Sequence, residues 1–311
     1  MNQTSIPAHT RGRSFAILAA LCWGSATVMS KGALSAFAPI SLLVVQLLAS
    51  VACLWLLVFV RRARVQRLPF GTMVKFAALG LLEPGLTYLL ALVGLEHTRA
   101  SKASLIGSSE AMMILGFSSL LFAERPTLRF MLLSVVAVFG LYVSLGAVSV
   151  EVSGSDATGN EVMGNALIFA GTAVAAIYVV LSGRIAAQAD PVTLVAWQQT
   201  VALGMALLAL PLEWAWRSQP IALPGSANVW LLAAASGMVQ YALAFSFYMA
   251  ALKSIHANVA GSYLNLVPIF GIAGAALFLD ELISMQQLVG AGITLAAVTW
   301  MSLGGLKAFK S

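Results

Sequence analysis

The chain has 311 residues, of which 60% are hydrophobic and only 9% are charged, and its formal net charge is +6. A soluble domain carries about 25% charged residues, so this chain has too few polar side chains to cover a water-facing surface. The composition therefore excludes a soluble globular protein and indicates a membrane protein. No basic stretch carries the interleaved aromatics or the fold motif of a nucleic-acid binder, so the positive charge indicates orientation in a bilayer and no nucleic-acid partner.

Ten apolar segments along the chain are each long enough to cross a bilayer, which takes about 20 residues in a helix. The loops between them are short, and the two longest cover residues 148–162 and 213–226, so no soluble domain fits. We therefore predict an all-α membrane protein with ten transmembrane helices. They lie near residues 14–36, 39–60, 71–95, 99–122, 128–147, 163–183, 191–212, 227–252, 255–279 and 285–306.

Lysine and arginine residues are spread unevenly over the predicted loops. If the N-terminus lies in the cytoplasm, most of the 17 basic residues fall on the cytoplasmic side, among them Arg61, Arg62 and Arg64. Short loops rich in basic residues favour the cytoplasm. The loop 148–162 carries acidic residues and no lysine or arginine, which suits the outer side. We predict cytoplasmic N- and C-termini and a multi-pass protein of the cell membrane, the bacterial inner membrane.

One sequence pattern occurs twice, 152 residues apart. Pro39 and Gln46 stand in one apolar stretch, and Pro191 and Gln198 stand at matching places in another. Each proline is predicted to open a helix, where its missing N–H costs little. Self-similarity of this kind is the signature of a duplicated architecture.

The match continues beyond the first pair of segments with an offset that grows to 157, where Gly80 corresponds to Gly237. Each half holds five spans, and because five is odd the second half must enter the membrane upside down. That is an inverted repeat, in which the substrate site lies between the halves. We predict a first repeat over residues 1–147, an outer linker over 148–162 and a second repeat over 163–311.

Two carboxylates lie near the middle of predicted spans, Glu83 in span three and Glu110 in span four. A charged residue at the bilayer centre costs about 2.5–3.5 kcal/mol on insertion scales, so such residues are functional candidates. With the offset of 157, Glu83 corresponds to Gln240, whereas Glu110 corresponds to Val267 and has no polar counterpart. The alternative for Glu83 is a protonated acid that caps carbonyl groups freed by the following proline.

Further polar and aromatic residues form stripes at helical spacing, among them Ser101, Ser104 and Ser108 on span four and Asn258, Ser262 and Asn265 on span nine. Together the stripes suggest that spans one, three, four, six, eight and nine surround a cavity. The alternatives are helix–helix contact for serine stripes and an interfacial belt for tyrosine and tryptophan near span ends. The two cysteines are predicted to be small core residues. The candidate substrate-binding residues are Trp23, Glu83, Tyr88, Glu110, Tyr178, Gln240, Tyr248, Tyr263 and Asn265.

Two short motifs carry a family resemblance: Trp23-Gly24 with Lys31 at the end of span one, and Pro268 followed by Leu279-Asp280-Glu281-Leu282 at the end of span nine. They resemble motifs of the EamA-type ten-helix members of the drug/metabolite transporter superfamily. In the first half Ala111 stands where the resemblance expects a proline. The resemblance covers essentially the whole chain. It implies export of amino acids, aromatic ones among them, of other metabolites, or of drugs.

These observations favour a secondary transporter that exports small metabolites such as amino acids, aromatic or hydrophobic ones included. It would work by alternating access around a central cavity between the repeats. Drug or other metabolite efflux in the same fold is the alternative. The sequence has no P-loop glycine pattern, so direct ATP drive is not indicated.

An intramembrane enzyme and a non-transporting membrane receptor are the other classes considered. An enzyme needs a nucleophile–base pair or a metal site at depth, and the spans contain no HExxH, no GxSxG and no close His–carboxylate pair. We therefore expect no catalytic residues, no metal and no cofactor. The expected partners are a small-molecule substrate and the lipid bilayer, with a monomer as one option for the oligomeric state.

Overall fold

The computed structural model describes residues 8–60, 70–97, 106–107, 109–123, 125–144, 159–216, 224–278, 284–304 and 309–310. Nearly all of these residues are helical. The exception is a two-residue antiparallel pairing in which Arg125 lies opposite Lys310 and Pro126 opposite Phe309. The predicted all-α class therefore holds for the described part of the chain.

The described residues of the first half form helices separated by one irregular segment. A π-helical segment, Leu81–Leu86, joins α3 to α4. The helices are α1 (Ala8–Ala33), α2 (Pro39–Val60), α3 (Phe70–Gly80), α4 (Thr87–His97), α5 (Glu110–Phe122) and α6 (Leu128–Ser144).

The second half repeats this order with one further break. A π-helical segment, Met238–Leu243, joins α9 to α10, and a 3-10 turn, Tyr263–Leu266, joins α11 to α12. The helices are α7 (Gly159–Ile185), α8 (Pro191–Trp216), α9 (Ala227–Gly237), α10 (Ala244–Leu252), α11 (Ala257–Ser262), α12 (Val267–Phe278) and α13 (Met285–Gly304). The prolines at positions 39 and 191 open α2 and α8, as predicted.

Six helical stretches of the described residues are long and apolar enough to cross a membrane. Shorter apolar helices run over Glu110–Phe122 and Leu128–Val143. Large apolar side chains remain exposed on the outside of the bundle, including Phe59 and Leu208, each 81% exposed. In lipid such a surface is favourable, because the chains of the bilayer are as apolar as these side chains. The long stretches are His9–Ser30, Pro39–Val60, Phe70–Ala91, Asn160–Gln188, Pro191–Ala215 and Ala227–Leu252.

One predicted loop is partly helical. The sequence placed residues 213–226 outside the helices, whereas α8 continues to Trp216. Glu213 stays buried in this last turn because its carboxylate accepts hydrogen bonds from the backbone N–H groups of Ile40 and Ser41, at 2.8 and 2.9 Å. The prediction was wrong here because the partner of the charged side chain is far away in sequence.

The two halves are locked together by a pair of matching contacts. α3 and α8 pack so closely that a Cβ on Gly80 would fall on the backbone of Gln198. α9 and α2 pack in the same way, and a Cβ on Gly237 would fall on the backbone of Gln46. Both contacts join a glycine of one half to a glutamine of the other. The glycines permit the two backbones to approach because they carry no side chain.

Candidate functional site

A cavity of about 310 Å³ lies between the two halves, a volume within the range of small-molecule sites. Both halves contribute to it, and its walls combine carboxylates, amides, aromatic rings and aliphatic side chains. The lining residues are Trp23, Thr27, Glu83, Tyr88, Gly107, Glu110, Ala111, Leu141, Tyr178, Val179, Gln240, Tyr248, Leu264, Asn265, Val267, Pro268 and Gly271.

The structure brings eight of the nine candidate residues to this cavity. The exception is Tyr263, which is 3% exposed and lies outside the lining. Tyr263 begins the 3-10 turn that joins α11 to α12, and Asn265 from the same turn does reach the cavity. The helical periodicity of the sequence does not reveal this turn, in which the spacing changes from 3.6 to 3 residues per turn.

Glu83 enters the cavity from an interrupted helix. Its backbone is extended, with φ −141° and ψ 129°, inside the π-helical segment between α3 and α4. Pro84 follows it and has no N–H to donate to a helical carbonyl. The break carries the Glu83 side chain to the cavity while leaving it only 8% exposed.

Glu110, the second carboxylate, lies at the first residue of α5. Glu83 and Glu110 line the same cavity. Position 111, where the second half has Pro268, also contributes to the lining, and Pro268 itself does so from α12. The place where the first half departs from the proline pattern is therefore part of the cavity wall.

The amide of Gln240 belongs to a hydrogen-bond chain that connects the halves. Ser30 Oγ donates to Gln240 Oε1 at 3.0 Å, and Gln46 Nε2 donates to Ser30 Oγ at 2.8 Å. The same Gln46 nitrogen donates to Ser236 Oγ at 2.8 Å. Tyr88 lines the same cavity as Gln240. The chain fixes the orientation of the amide that faces the cavity.

Aromatic rings form a further part of the cavity wall. The rings of Trp23 and Tyr248 pack edge to face with centroids 5.3 Å apart, and Phe245 packs behind them, 5.2 Å from Trp23. The Tyr178 hydroxyl donates to Gln198 Oε1 at 3.0 Å. The buried Tyr248 hydroxyl has no hydrogen-bond partner among the described residues. A buried hydroxyl without a partner is costly, so this group is suited to bind a ligand.

Other polar residues of the predicted stripes serve packing. Asn258 donates from Nδ2 to Ser118 Oγ at 3.0 Å and is not part of the lining, which agrees with the helix-contact alternative. Ser262 donates to the carbonyl of Val259 on its own helix. The serine stripe predicted at positions 101, 104 and 108 lies outside the described residues.

Several lining residues were not predicted from the sequence. Leu141 comes from α6, a helix whose sequence shows no polar stripe, and Val179 and Leu264 are equally apolar. Nothing in a single sequence distinguishes an aliphatic side chain in a cavity from one in the core. Thr27 was detectable, since it lies four residues after Trp23 on the same helix face.

The described residues contain no group of three or more His, Cys, Asp or Glu side chains that could hold a metal ion. Cys22 and Cys53 are free and half-buried. The chemistry that the described lining offers is therefore hydrogen bonding, charge and aromatic contact.

A cavity held between two matching bundles of apolar helices, with interrupted helices beside it, is the architecture of a membrane transporter. The model of the EamA-like transporter family matches residues 10–146 and again residues 162–303. The chain belongs to the EamA-like transporter family and is a multi-pass membrane protein.

Two relatives span nearly the whole chain. "Uncharacterized transporter YcbK" of Bacillus subtilis (strain 168) is 24% identical over 310 residues, which cover 99% of this chain and 98% of that protein. A protein of known crystal structure shares 17% identity and a TM-score of 0.79, covering 96% of this chain and 98% of the other. At that identity the second similarity concerns the fold alone.

Proposed function

We propose that this protein is a secondary transporter that exports small metabolites, with amino acids among the candidate solutes, by alternating access around the central cavity. The observation that supports this most directly is the position of the cavity, which receives Glu83 from the first half and Gln240 from the second. A solute bound there contacts both halves at once. Any rocking of one half against the other would then change the side from which the solute is reached.

We propose ten transmembrane helices, with a first repeat over residues 1–147, a linker over 148–162 and a second repeat over 163–311. Both termini are proposed to lie in the cytoplasm. In a variant with both native cysteines replaced by alanine, Ser35→Cys should react with a membrane-impermeant thiol reagent on intact cells. Lys253→Cys should react only after the membrane is opened. Both positions are exposed, so the reverse labelling pattern would contradict this orientation.

Transport is tested with purified protein in liposomes. Vesicles with and without the protein are loaded with a labelled metabolite mixture, and their efflux is compared. Ala111→Phe fills the cavity and should reduce efflux to the rate of protein-free vesicles. Leu120→Phe is the matched control, because it lies on the same helix α5 but is 79% exposed on the outer surface. Equal efflux from protein-containing and protein-free vesicles for every solute would contradict the proposal.

The alternative function, drug efflux by the same fold, differs from metabolite export only in the solute that is transported. Cells that express the protein are challenged with toxic amino-acid analogues, nucleosides and drugs, and the compounds to which resistance rises identify the class. Resistance should be lost with Ala111→Phe and kept with Leu120→Phe. Resistance that persists when the cavity is filled would mean that the cavity is not the transport path.

A further inference from the structure

The two carboxylates in the cavity lack a basic partner among the described lining residues. Glu83 and Glu110 line the same cavity, and a carboxyl group removed from water is held in its ionised form only by a counter-charge or by hydrogen-bond donors. We propose that the substrate supplies the counter-charge, and that the cavity binds organic cations, namely amines and ammonium compounds with an apolar tail. This substrate class rests on the proposed function as a transporter.

The aromatic wall supports the same assignment. Trp23, Tyr88, Tyr178 and Tyr248 all line the cavity that holds the carboxylates. The face of an aromatic ring attracts cations, and cages of such rings bind ammonium groups. The edge-to-face packing of Trp23 against Tyr248 holds two of these rings in fixed orientation. Carboxylates and ring faces thus attract a ligand of the same charge.

The remaining wall fits the tail of such a cation. Leu141, Val179, Leu264 and Val267 form an aliphatic surface in the same cavity. Burial of an apolar tail against this surface is favourable, and the charged end then meets the carboxylates. A lipophilic amine therefore matches the carboxylates, the aromatic rings and the aliphatic side chains of the described lining.

A substrate with its own carboxylate fits less well. The described lining residues include no lysine, arginine or histidine, so the carboxylate of a zwitterionic amino acid would meet Glu83 and Glu110 without a cation between them. Like charges in a site of low dielectric repel strongly. Among small metabolites, amines therefore rank above the amino acids from which they differ by a carboxylate.

A series of four compounds with one aromatic ring and different charge tests this ranking. Phenethylamine, phenylalanine, phenethyl alcohol and 3-phenylpropionate are titrated into the purified full-length protein by calorimetry. We expect phenethylamine to bind about 30-fold more tightly than the neutral alcohol or the zwitterion, the effect of one buried charge pair. Glu83→Gln should remove most of this preference.

Glu213→Gln is the matched control. Glu213 is also a buried carboxylate, but it caps α2 and is absent from the cavity lining. The preference for the amine should persist in this variant even if its thermal stability falls. Phenethylamine binding no tighter than that of phenylalanine or phenethyl alcohol would overturn the assignment.

Liposome efflux separates this inference from the proposed function. If other solutes leave the vesicles through the protein while amines do not bind, the transporter stands and the cation assignment falls. If phenethylamine binds with the expected preference and no solute crosses, the binding site stands and the transport proposal falls.

Discussion

The two π-helical segments, Leu81–Leu86 and Met238–Leu243, occupy equivalent places in the two halves but differ in chemistry. Each begins directly after a glycine that touches the backbone of the other half, and each delivers one side chain to the cavity. The first segment delivers Glu83 from an extended backbone, and the second delivers Gln240. The backbone framework is therefore duplicated, while the groups facing the cavity differ between the halves.

The same contrast holds for the glutamines that the glycines touch. Gln46 uses its amide nitrogen to bind two serines, one in each half. Gln198 instead uses its amide oxygen to accept from Tyr178. Close backbone contact leaves little freedom for substitution, whereas a side chain beside a cavity can change when the bound solute changes.

The glycine contacts are where we expect the largest effect. Gly80→Leu and Gly237→Leu should each destabilise the protein by several kcal/mol, because overpacking against a backbone cannot be relieved by side-chain movement. The fall in thermal unfolding temperature in detergent should be similar for both variants. A large difference between them would show that the two contacts are not equivalent.

Gly204→Ala is the control for this pair. Gly204 lies on α8, the helix that Gly80 contacts, but a Cβ at Gly204 meets no atom within 4 Å. Alanine should leave stability unchanged or raise it by about 0.5–1 kcal/mol, since it restricts the unfolded chain more than glycine does. A loss of stability here would indicate that any substitution of a helical glycine is harmful. The losses in Gly80→Leu and Gly237→Leu could then not be attributed to the close backbone contacts.

Glu83→Gln makes both π-helical segments present a glutamine amide to the cavity, and it should change transport more than stability. We expect efflux to fall at least about tenfold, equivalent to about 1.4 kcal/mol, and its dependence on pH between about 5 and 9 to flatten. The other titratable groups of the described cavity lining are Glu110, Tyr88, Tyr178 and Tyr248. A pH profile identical to that of the unmodified protein would exclude Glu83 as the coupling group.

The exchange variant Glu83→Gln/Gln240→Glu moves the carboxylate to the second segment and tests whether the two halves are functionally equivalent. If the halves are functionally equivalent, the exchange should restore part of the efflux and of its pH dependence. If the extended backbone at Glu83 is essential, the exchange should behave like Glu83→Gln alone. Unfolding temperature is measured in parallel, so that loss of fold is distinguished from loss of transport.

The glutamines give a smaller, unequal effect. Gln46→Ala leaves Ser30 and Ser236 without their common partner and should cost about 2 kcal/mol. Gln198→Ala removes one hydrogen bond, to Tyr178, and should cost about 1 kcal/mol. The difference in unfolding temperature between the two variants checks this order. Equal losses would mean that the hydrogen-bond chain through Ser30 adds nothing.

The repeated framework can be predicted from the sequence because prolines and glycines mark equivalent positions in the two halves. The prolines that open α2 and α8 and the matched pair Gly80 and Gly237 stand at fixed offsets, and each does in the structure what its backbone chemistry dictates. The carboxylate Glu83 is detectable for a similar reason, since an acid in an apolar span has few structural uses.

The remaining features depend on contacts between distant residues. The π-helical segment Met238–Leu243 contains no proline and becomes visible in the sequence only through its offset of 157 from the first segment. Leu141 lines the cavity although its helix carries no polar stripe. Tyr263 lies outside the cavity lining although it belongs to the same 3-10 turn as Asn265, and the hydrophobic pattern does not reveal this turn.

The smallest expected loss of stability comes from substitutions at the caps of α2 and α8. The cap of α8 is a neighbour in sequence, whereas the cap of α2 comes from the other half of the chain. At α8 the backbone N–H and hydroxyl of Thr193 donate to Asp190, three residues earlier, at 3.0 and 3.2 Å. At α2 the equivalent donors, the backbone N–H and the hydroxyl of Ser41, bind Glu213 from the other half at 2.9 and 2.8 Å. Asp190→Asn should cost about 0.5 kcal/mol, since asparagine caps helices nearly as well. Glu213→Gln should cost about 1 kcal/mol, because a buried carboxylate with three donors loses its charge. Unfolding temperatures that rank the two variants in the opposite order would mean that the cap at α2 is dispensable, and that packing alone holds the start of α2 to the end of α8.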